Sequence, residues 1–256
     1  MVEQHLRNSM SKIKKVLYDI ETFPNILTTW DLFPKNMIPI QNILKERSLI
    51  CAAWKVHGET KVHSICVRPD DVYNDQEVVE TLYKVLSDAD EIIGHYSDRF
   101  DLPMLRTRAL RYGLGPLPPV AQTDTYKMAR TYFKFNSNKL DYIAGFLGVG
   151  RKTKTGYELW QKCALGDKVS LKKMVAYNKN DVRILGNVYE TLVSYAPAKL
   201  NTNLITDKIV CPSCGSNDVQ KRGISYTRAG KKQRYHCQSC GHWSHGPIKM
   251  VKDVLR

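Results

Sequence analysis

Lys14-Lys15-Val16-Leu17-Tyr18-Asp19-Ile20-Glu21-Thr22 is the stretch on which the fold turns. Its apolar run predicts a short strand, and that strand ends in an acidic turn. Side chains two apart in an extended strand share a face, so Asp19 and Glu21 point the same way and could hold a divalent cation between them. Alone the pair is weak, because 16 Asp and 9 Glu predict about 0.6 Asp-x-Glu by chance in a chain of this length. A second copy, Asp75-Gln76-Glu77, sits where a helix begins and reads as N-terminal capping and dipole compensation.

Outward from this strand, residues 26–33 and 49–56 predict two more. Gly58-Glu59-Thr60 would turn the latter into residues 61–67, giving an antiparallel meander. Residues 34–47, with Pro34 and Pro39, read as a loop. Residues 75–89 have helical spacing, with Val78, Val79, Leu82 and Leu86 on one face, and residues 91–96 read as a buried strand. A helix over 102–112 starts beside Pro103 and stops at Gly113. A strand at 121–124 and helices over 126–132, 140–147 and 171–195 complete the pattern. Strands alternating with helices after an antiparallel start predict an α/β fold, a mixed β-sheet flanked by helices, with a small module after a linker near 196–206.

Composition agrees with a folded chain: 43% of the 256 residues are hydrophobic and 25% charged, which excludes disorder as the main state. No apolar run approaches the roughly 18 residues of a membrane span, and Met1-Val2-Glu3-Gln4-His5 lacks the apolar stretch of a signal peptide, so a cytoplasmic protein without membrane contact is expected. The net charge is +14, and residues 199–256 carry 11 basic against 3 acidic side chains, +8 of that total. Such a surplus suits a polyanion, since Lys and Arg displace counterions condensed on a phosphate backbone. A solvated basic surface that aids solubility is the other reading of charge alone.

Seven cysteines fall into two groups. Cys51, Cys66 and Cys163 stand in apolar or helical contexts and read as small buried hydrophobes. Cys211, Cys214, Cys237 and Cys240 form Cys-Pro-Ser-Cys and Cys-Gln-Ser-Cys, a spacing that suits one tetrahedral Zn²⁺ held by two tight turns with a hairpin between them. Between the pairs run Lys221, Arg222, Arg228, Lys231, Lys232 and Arg234, interleaved with Tyr226 and Tyr235. Cations for phosphates and aromatic faces for bases are the ingredients of a nucleic-acid surface. Zinc also replaces a core too small to exist in about 50 residues. His236, His242 and His245 lie close enough to substitute as ligands, though four cysteines make them unnecessary.

Two further acidic motifs follow the first in order. Phe100-Asp101-Leu102-Pro103 falls at a strand-to-helix turn, where an N-cap is the alternative role for Asp101. Tyr177-Asn178-Lys179-Asn180-Asp181 sets Tyr177 and Asp181 side by side on a helix. With Asp19-Ile20-Glu21-Thr22, these resemble the three motifs of the DEDD exonucleases of the ribonuclease H-like superfamily, in the tyrosine variant. The wider run, including Asp124-Thr125-Tyr126 and Lys139-Leu140-Asp141, is similar to stand-alone exonuclease-like proteins common in phages, and the resemblance spans roughly residues 14–195. Tyr96 stands where many relatives have Asn. The cysteine segment resembles a zinc ribbon of the kind found near transposases.

The resemblance implies a ribonuclease H-like domain over 14–198 behind an N-terminal tail of 1–13, and a nucleic-acid-binding zinc ribbon over 199–256. It implies a 3′→5′ exonuclease acting on DNA or RNA with an accessible 3′ end, in a bacterium or phage-infected host, with a replication or repair protein as a further partner. Thr22 and Phe23 would touch the strand. Four ionised carboxylates would repel one another, whereas two Mg²⁺ or Mn²⁺ supply +4 against −4. Hard oxygen ligands suit those ions, and a pair about 4 Å apart can clamp both oxygens of an in-line displacement. Asp19 and Glu21 would be central ligands, Asp101 would hold one ion and Asp181 the other. Tyr177 would orient the attacking water. Asp88, Asp90 and Asp98 read as surface carboxylates, and His95 falls outside the third motif. The rivals are an inert nucleic-acid-binding zinc-ribbon protein and a transposase-like endonuclease.

Overall fold

Strand β1 (Lys15–Thr22) buries Val16, Tyr18 and Ile20 on one face and Leu17 on the other, because its sheet is covered on both sides. A computed structural model describes residues 13–198, 200, 209–228 and 230–249. Nearly all of the expected N-terminal tail and much of the linker lie outside these residues. After β1 comes a separate antiparallel pair, β2 (Ile26–Leu27) and β3 (Ile43–Lys45), the latter preceded by a 3₁₀ turn at Ile40–Asn42. Then β4 (Leu49–Val56), β5 (His63–Cys66), β6 (Glu91–Gly94) and β7 (Ala121–Asp124) join β1 in one mixed sheet of order β5-β4-β1-β6-β7. β4 runs antiparallel to β1 and β5 antiparallel to β4, the expected meander, while β6 and β7 run parallel to β1.

Among the described residues, six helices flank it. α1 (Gln76–Ser87) and α2 (Asp101–Arg111) cover one face, where the expected stripe of Val78, Val79, Leu82 and Leu86 is buried. α3 (Thr125–Tyr132) and α4 (Leu140–Leu147) cover the other. α5 (Glu158–Ala164), a helix the sequence pattern does not announce, seats Cys163 in the first cluster. The long α6 (Lys168–Leu192) serves both: Leu171 and Met174 join the first cluster, and Val182, Leu185, Val188 and Leu192 the second. α6 therefore crosses from one core to the other at about the position of Tyr177 and Asp181. No helix among the described residues is long and apolar enough to cross a membrane.

Three expectations need correction. The strand over 26–33 shrinks to Ile26–Leu27, and Trp30, Leu32 and Phe33 are almost wholly exposed; apolar residues cannot hold an extended run without a sheet to pack on. The loop expected over 34–47 contains β3. Asp75 precedes α1 but its side chain does not cap it. Its carboxylate, fully buried, takes Arg108 Nε at 2.8 Å and Nη2 at 2.5 Å, the Tyr112 hydroxyl at 2.5 Å and the Leu49 amide at 2.8 Å. It ties α1, α2 and β4 together.

The C-terminal residues form an antiparallel sheet of β8 (Val219–Thr227), β9 (Gly230–Cys237) and β10 (Trp243–Lys249), the expected hairpin with a third strand added. Hydrogen bonds from the segments beside these strands tie the module to the rest. Lys15 Nζ donates to Ser213 O at 3.3 Å, and His242 Nδ1 lies 3.0 Å from Ser194 O, just beyond the end of α6.

Candidate active site

Asp19 and Glu21 extend from the end of β1 on the side covered by α6, where β1 also shifts register between Glu21 and Thr22. A bulge at that point re-aims the last side chains of a strand. Asp181, on α6, comes to the same place: one carboxylate oxygen from each of Asp19, Glu21 and Asp181 can be chosen so that all three lie within 4.8 Å of one another. Asp101, the first residue of α2, arrives from the opposite face and accepts the Ile20 amide at 3.2 Å, between the two β1 carboxylates. Residues 162 positions apart in the chain thus converge on one strand end.

Burial and mutual repulsion set the electrostatics. Burial, then Asp101, Glu21 and Asp181, raise the Asp19 carboxyl well above the usual range, while Lys152 pulls the other way. Burial and Asp181 push Glu21 up to about 8, and burial, reinforced by Asp124, brings Asp101 to about 7 despite the Ile20 amide. Asp181 is raised as well, by burial, against the pull of Lys152 and Tyr177. Its Oδ1 is buried with no hydrogen-bond partner. A buried carboxylate oxygen left unpaired among other carboxylates costs stability unless a cation satisfies it. The donor set is all hard oxygen, which fits Mg²⁺ or Mn²⁺.

Two residues that the motif reading missed complete the surroundings. Lys152, in the loop after α4, bonds Asp181 Oδ2 through Nζ at 2.5 Å and lies 5.6 Å from the Tyr177 ring centre. Burial opposes its charge, but Asp181, Asp19 and Tyr177 more than offset that and hold it cationic. Its sequence signal was the basic run Arg151-Lys152-Thr153-Lys154. Asn178, fully buried beside Tyr177, donates Nδ2–H to Asp19 Oδ2 at 2.6 Å and accepts the Cys51 thiol at 3.7 Å. Tyr177 packs edge-on against Trp160, and burial together with Asp181 pushes its hydroxyl up to about 12. It stays protonated at ordinary pH.

The strand contacts expected beside this cluster divide. Thr22 is half-buried at the end of β1. Phe23 is fully buried against Tyr73, ring centres 5.2 Å apart, with its amide bonded to Ser48 O at 2.8 Å. The expected strand contact at Phe23 is therefore corrected: a ring enclosed in the core has no face to offer a base. Tyr96, at φ 62, is the one described non-glycine residue in the left-handed region, a conformation that Asn tolerates and Tyr resists. Its amide is held by Asp124 Oδ1 at 2.8 Å and its ring meets Tyr126 at 4.9 Å. His95 is fixed between Thr125 Oγ1 and Asn138 O, both 2.9 Å away, and burial lowers it to about 4. Asp88 and Asp90 are exposed, and Asp98 pairs with Lys127.

Far from the carboxylates, Cys211, Cys214, Cys237 and Cys240 bring their sulfurs within 4.8 Å of one another. Cys211–Cys240 and Cys214–Cys237 are each 3.7 Å apart, against an edge of about 3.8 Å for a tetrahedron with Zn–S bonds near 2.3 Å. Gly215 and Gly241, at φ 76 and 73, close the two knuckles and donate to Cys211 O and Cys237 O, a turn that a Cβ would strain. The cluster fits zinc. His242 points away, to Ser194.

A family model described as RNase_H superfamily matches residues 46–193, a span that holds Asp101, Tyr177 and Asp181 but begins after Asp19 and Glu21. Among solved structures, a family B DNA polymerase from the hyperthermophilic archaeon Pyrobaculum calidifontis is similar, with a TM-score of 0.55 and 15% identity over 86% of this chain. The chain spans about a third of that polymerase, 32% of its length, and the likeness is one of fold. No curated protein matches.

Proposed function

The chain belongs to the RNase H superfamily, and from that premise we propose that it is a metal-dependent nuclease, a 3′→5′ exonuclease on DNA or RNA with a C-terminal zinc ribbon. One observation carries the reading: the three carboxylates Asp19, Glu21 and Asp181 are gathered within 4.8 Å with the buried Asp181 Oδ1 unpaired. An inert scaffold would gain nothing from that repulsion, whereas divalent cations turn it into binding energy.

Asp19, Glu21 and Asp181 would hold one cation and Asp101, with Asp19, a second. When bound, the cations polarise the phosphodiester and lower the pKa of water at the site. The remaining work falls to this chain's own groups. Asn178 donates to Asp19 Oδ2, which leaves Oδ1 to turn toward a cation. Tyr177, protonated and one helical turn before Asp181, orients the attacking water through its hydroxyl and is too weak an acid to act as free base. Lys152, cationic beside Asp181 and Tyr177, adds positive charge where the phosphorane oxygens gain negative charge.

A 5′-labelled oligonucleotide incubated with Mg²⁺ or Mn²⁺ should give a ladder that shortens from the 3′ end. Asp181→Asn should remove the ladder while the far-UV spectrum stays native. Tyr177→Phe should slow cleavage on the order of 10²–10³-fold, the range for one positioned group in a transition state, with the metal concentration for half-maximal rate unchanged. A full ladder from Asp181→Asn would dismiss the site.

A further inference from the structure

β9 carries Lys232, Arg234 and His236 on one face, since residues two apart share a side. β10 lies beside it with Trp243 opposite His236 and His245 opposite Arg234. The Trp243 and His236 rings are stacked, centres 4.6 Å apart and 28° from parallel, and the Arg234 guanidinium carbon lies 5.9 Å from the Trp243 ring centre. A Cβ at Gly223 would stand 3.0 Å from Arg234 Nη2, so the glycine leaves that guanidinium its room. Trp243 is nevertheless 50% exposed. Its open part borders a cleft of about 1210 Å³ between this sheet and the end of α6, lined among others by Tyr132, Tyr195, Pro197, Tyr235 and His245. Residues 209–249 contain seven basic side chains and one acidic, Asp218.

We propose that the exposed part of Trp243, at the edge of this cleft, is a stacking site for an unpaired nucleobase, backed by His236, with Arg234 and Lys232 on the same sheet face, outside the cleft lining, for the adjacent phosphates. The proposal rests on the nucleic-acid reading above and adds to it a residue class and a position. Charge on the sheet face beside Trp243 selects the occupant: an exposed aromatic ring with Arg234 next to it and Lys232 along the same strand matches a single strand, whose bases stack and whose phosphates pair with Arg and Lys. A duplex keeps its base faces covered.

The position follows from two rulers. Ser194, which His242 touches, comes 13 residues after Asp181, so at 1.5 Å per helical residue it is about 20 Å away. Lys15, which holds Ser213, comes six residues before Glu21, again about 20 Å at 3.3 Å per strand residue. A strand with its 3′ end at the carboxylates would reach Trp243 within about six nucleotides, the count at the duplex rise of about 3.4 Å per step, since an extended single strand spans more per nucleotide.

The test uses the full chain carrying Asp181→Asn, so that nothing is cut, with zinc content checked, and a 5′-fluorescein single-stranded 20-mer read by anisotropy. Trp243→Ala should weaken binding by about 5- to 150-fold, Trp243→Phe by less, and duplex binding should change little. An abasic residue walked from the 3′ end should weaken binding most at one position within about the first six, and this dip should vanish in Trp243→Ala. Affinity within twofold of the parent, equal weakening for duplex, or a flat abasic walk on the parent chain would each overturn the proposal. The walk needs no substitution at Trp243, so a misfolded variant cannot rescue it. Failure of the wild-type chain to cleave would remove the nuclease reading and leave this site standing.

Discussion

Glu21 and Asp101 hold their protons to about pH 8 and 7 in the metal-free protein, whereas the unfolded chain releases its own near pH 4. Between those values the native state binds more protons than the unfolded one. The stability that these groups contribute is therefore complete below about pH 4 and is lost as pH rises through 7 to 8. Cations compete for the same oxygens, so their affinity rises with pH over the same window. Thermal melts of the zinc-loaded chain should show little gain from Mg²⁺ or Mn²⁺ at pH 5 and a clear upward shift of Tm at pH 8. An equal shift at both pH values would mean the ions bind elsewhere. Asn178 and Lys152 act at this scale too, one turning Asp19 and the other partly compensating Asp181.

Among elements, the junction of α1, α2 and β4 depends on one charged pair. Asp75 is fully buried, Arg108 nearly so, and the carboxylate also holds the amide of Leu49, the first residue of β4. Removing one partner of such a pair strands the other charge in the core, typically at about 3–5 kcal/mol. Asp75→Ala should lower the unfolding free energy measured by urea titration by that order, and Asp75→Leu with Arg108→Met should recover much of the stability because no charge is left unpaired. A drop under about 1 kcal/mol in the single variant would mean that water reaches Arg108. β4 pairs directly with the strand that carries Asp19 and Glu21, so this junction also supports the carboxylates.

The whole molecule anchors its C-terminal module, through Ser213 and His242, about 20 Å from the carboxylates by the helix and strand rulers alike. Salt dependence reports how many of its cations meet phosphate. Replacing Lys221, Arg222, Lys231, Lys232 and Arg234 by Gln should make the slope of log affinity against log salt shallower by about 0.7 for each phosphate of a single strand that is no longer neutralised. The difference should fade for oligonucleotides too short to span that distance. An unchanged slope on a 20-mer would assign the module to a protein partner or to stability alone.

Sequence by itself determined what is written in short-range periodicity and spacing. β4 and β7, the buried stripe of α1 and the span of α4 followed from apolar pattern and turn residues, because a strand or helix selects its faces within a few positions. The cysteine pairs were legible for the same reason: each knuckle is a local turn closed by its own glycine. The acidic residues could be named in chain order, yet their meeting on the end of β1 depends on α6 crossing between two cores, a long-range event. Only the tertiary structure decided that Phe23 is enclosed while Trp30 is bare, that Asp75 serves Arg108 in place of its helix, and that Lys152 reaches Asp181 from a loop. Burial and charge pairing depend on neighbours distant in the chain, and residue type at one position does not encode who those neighbours are.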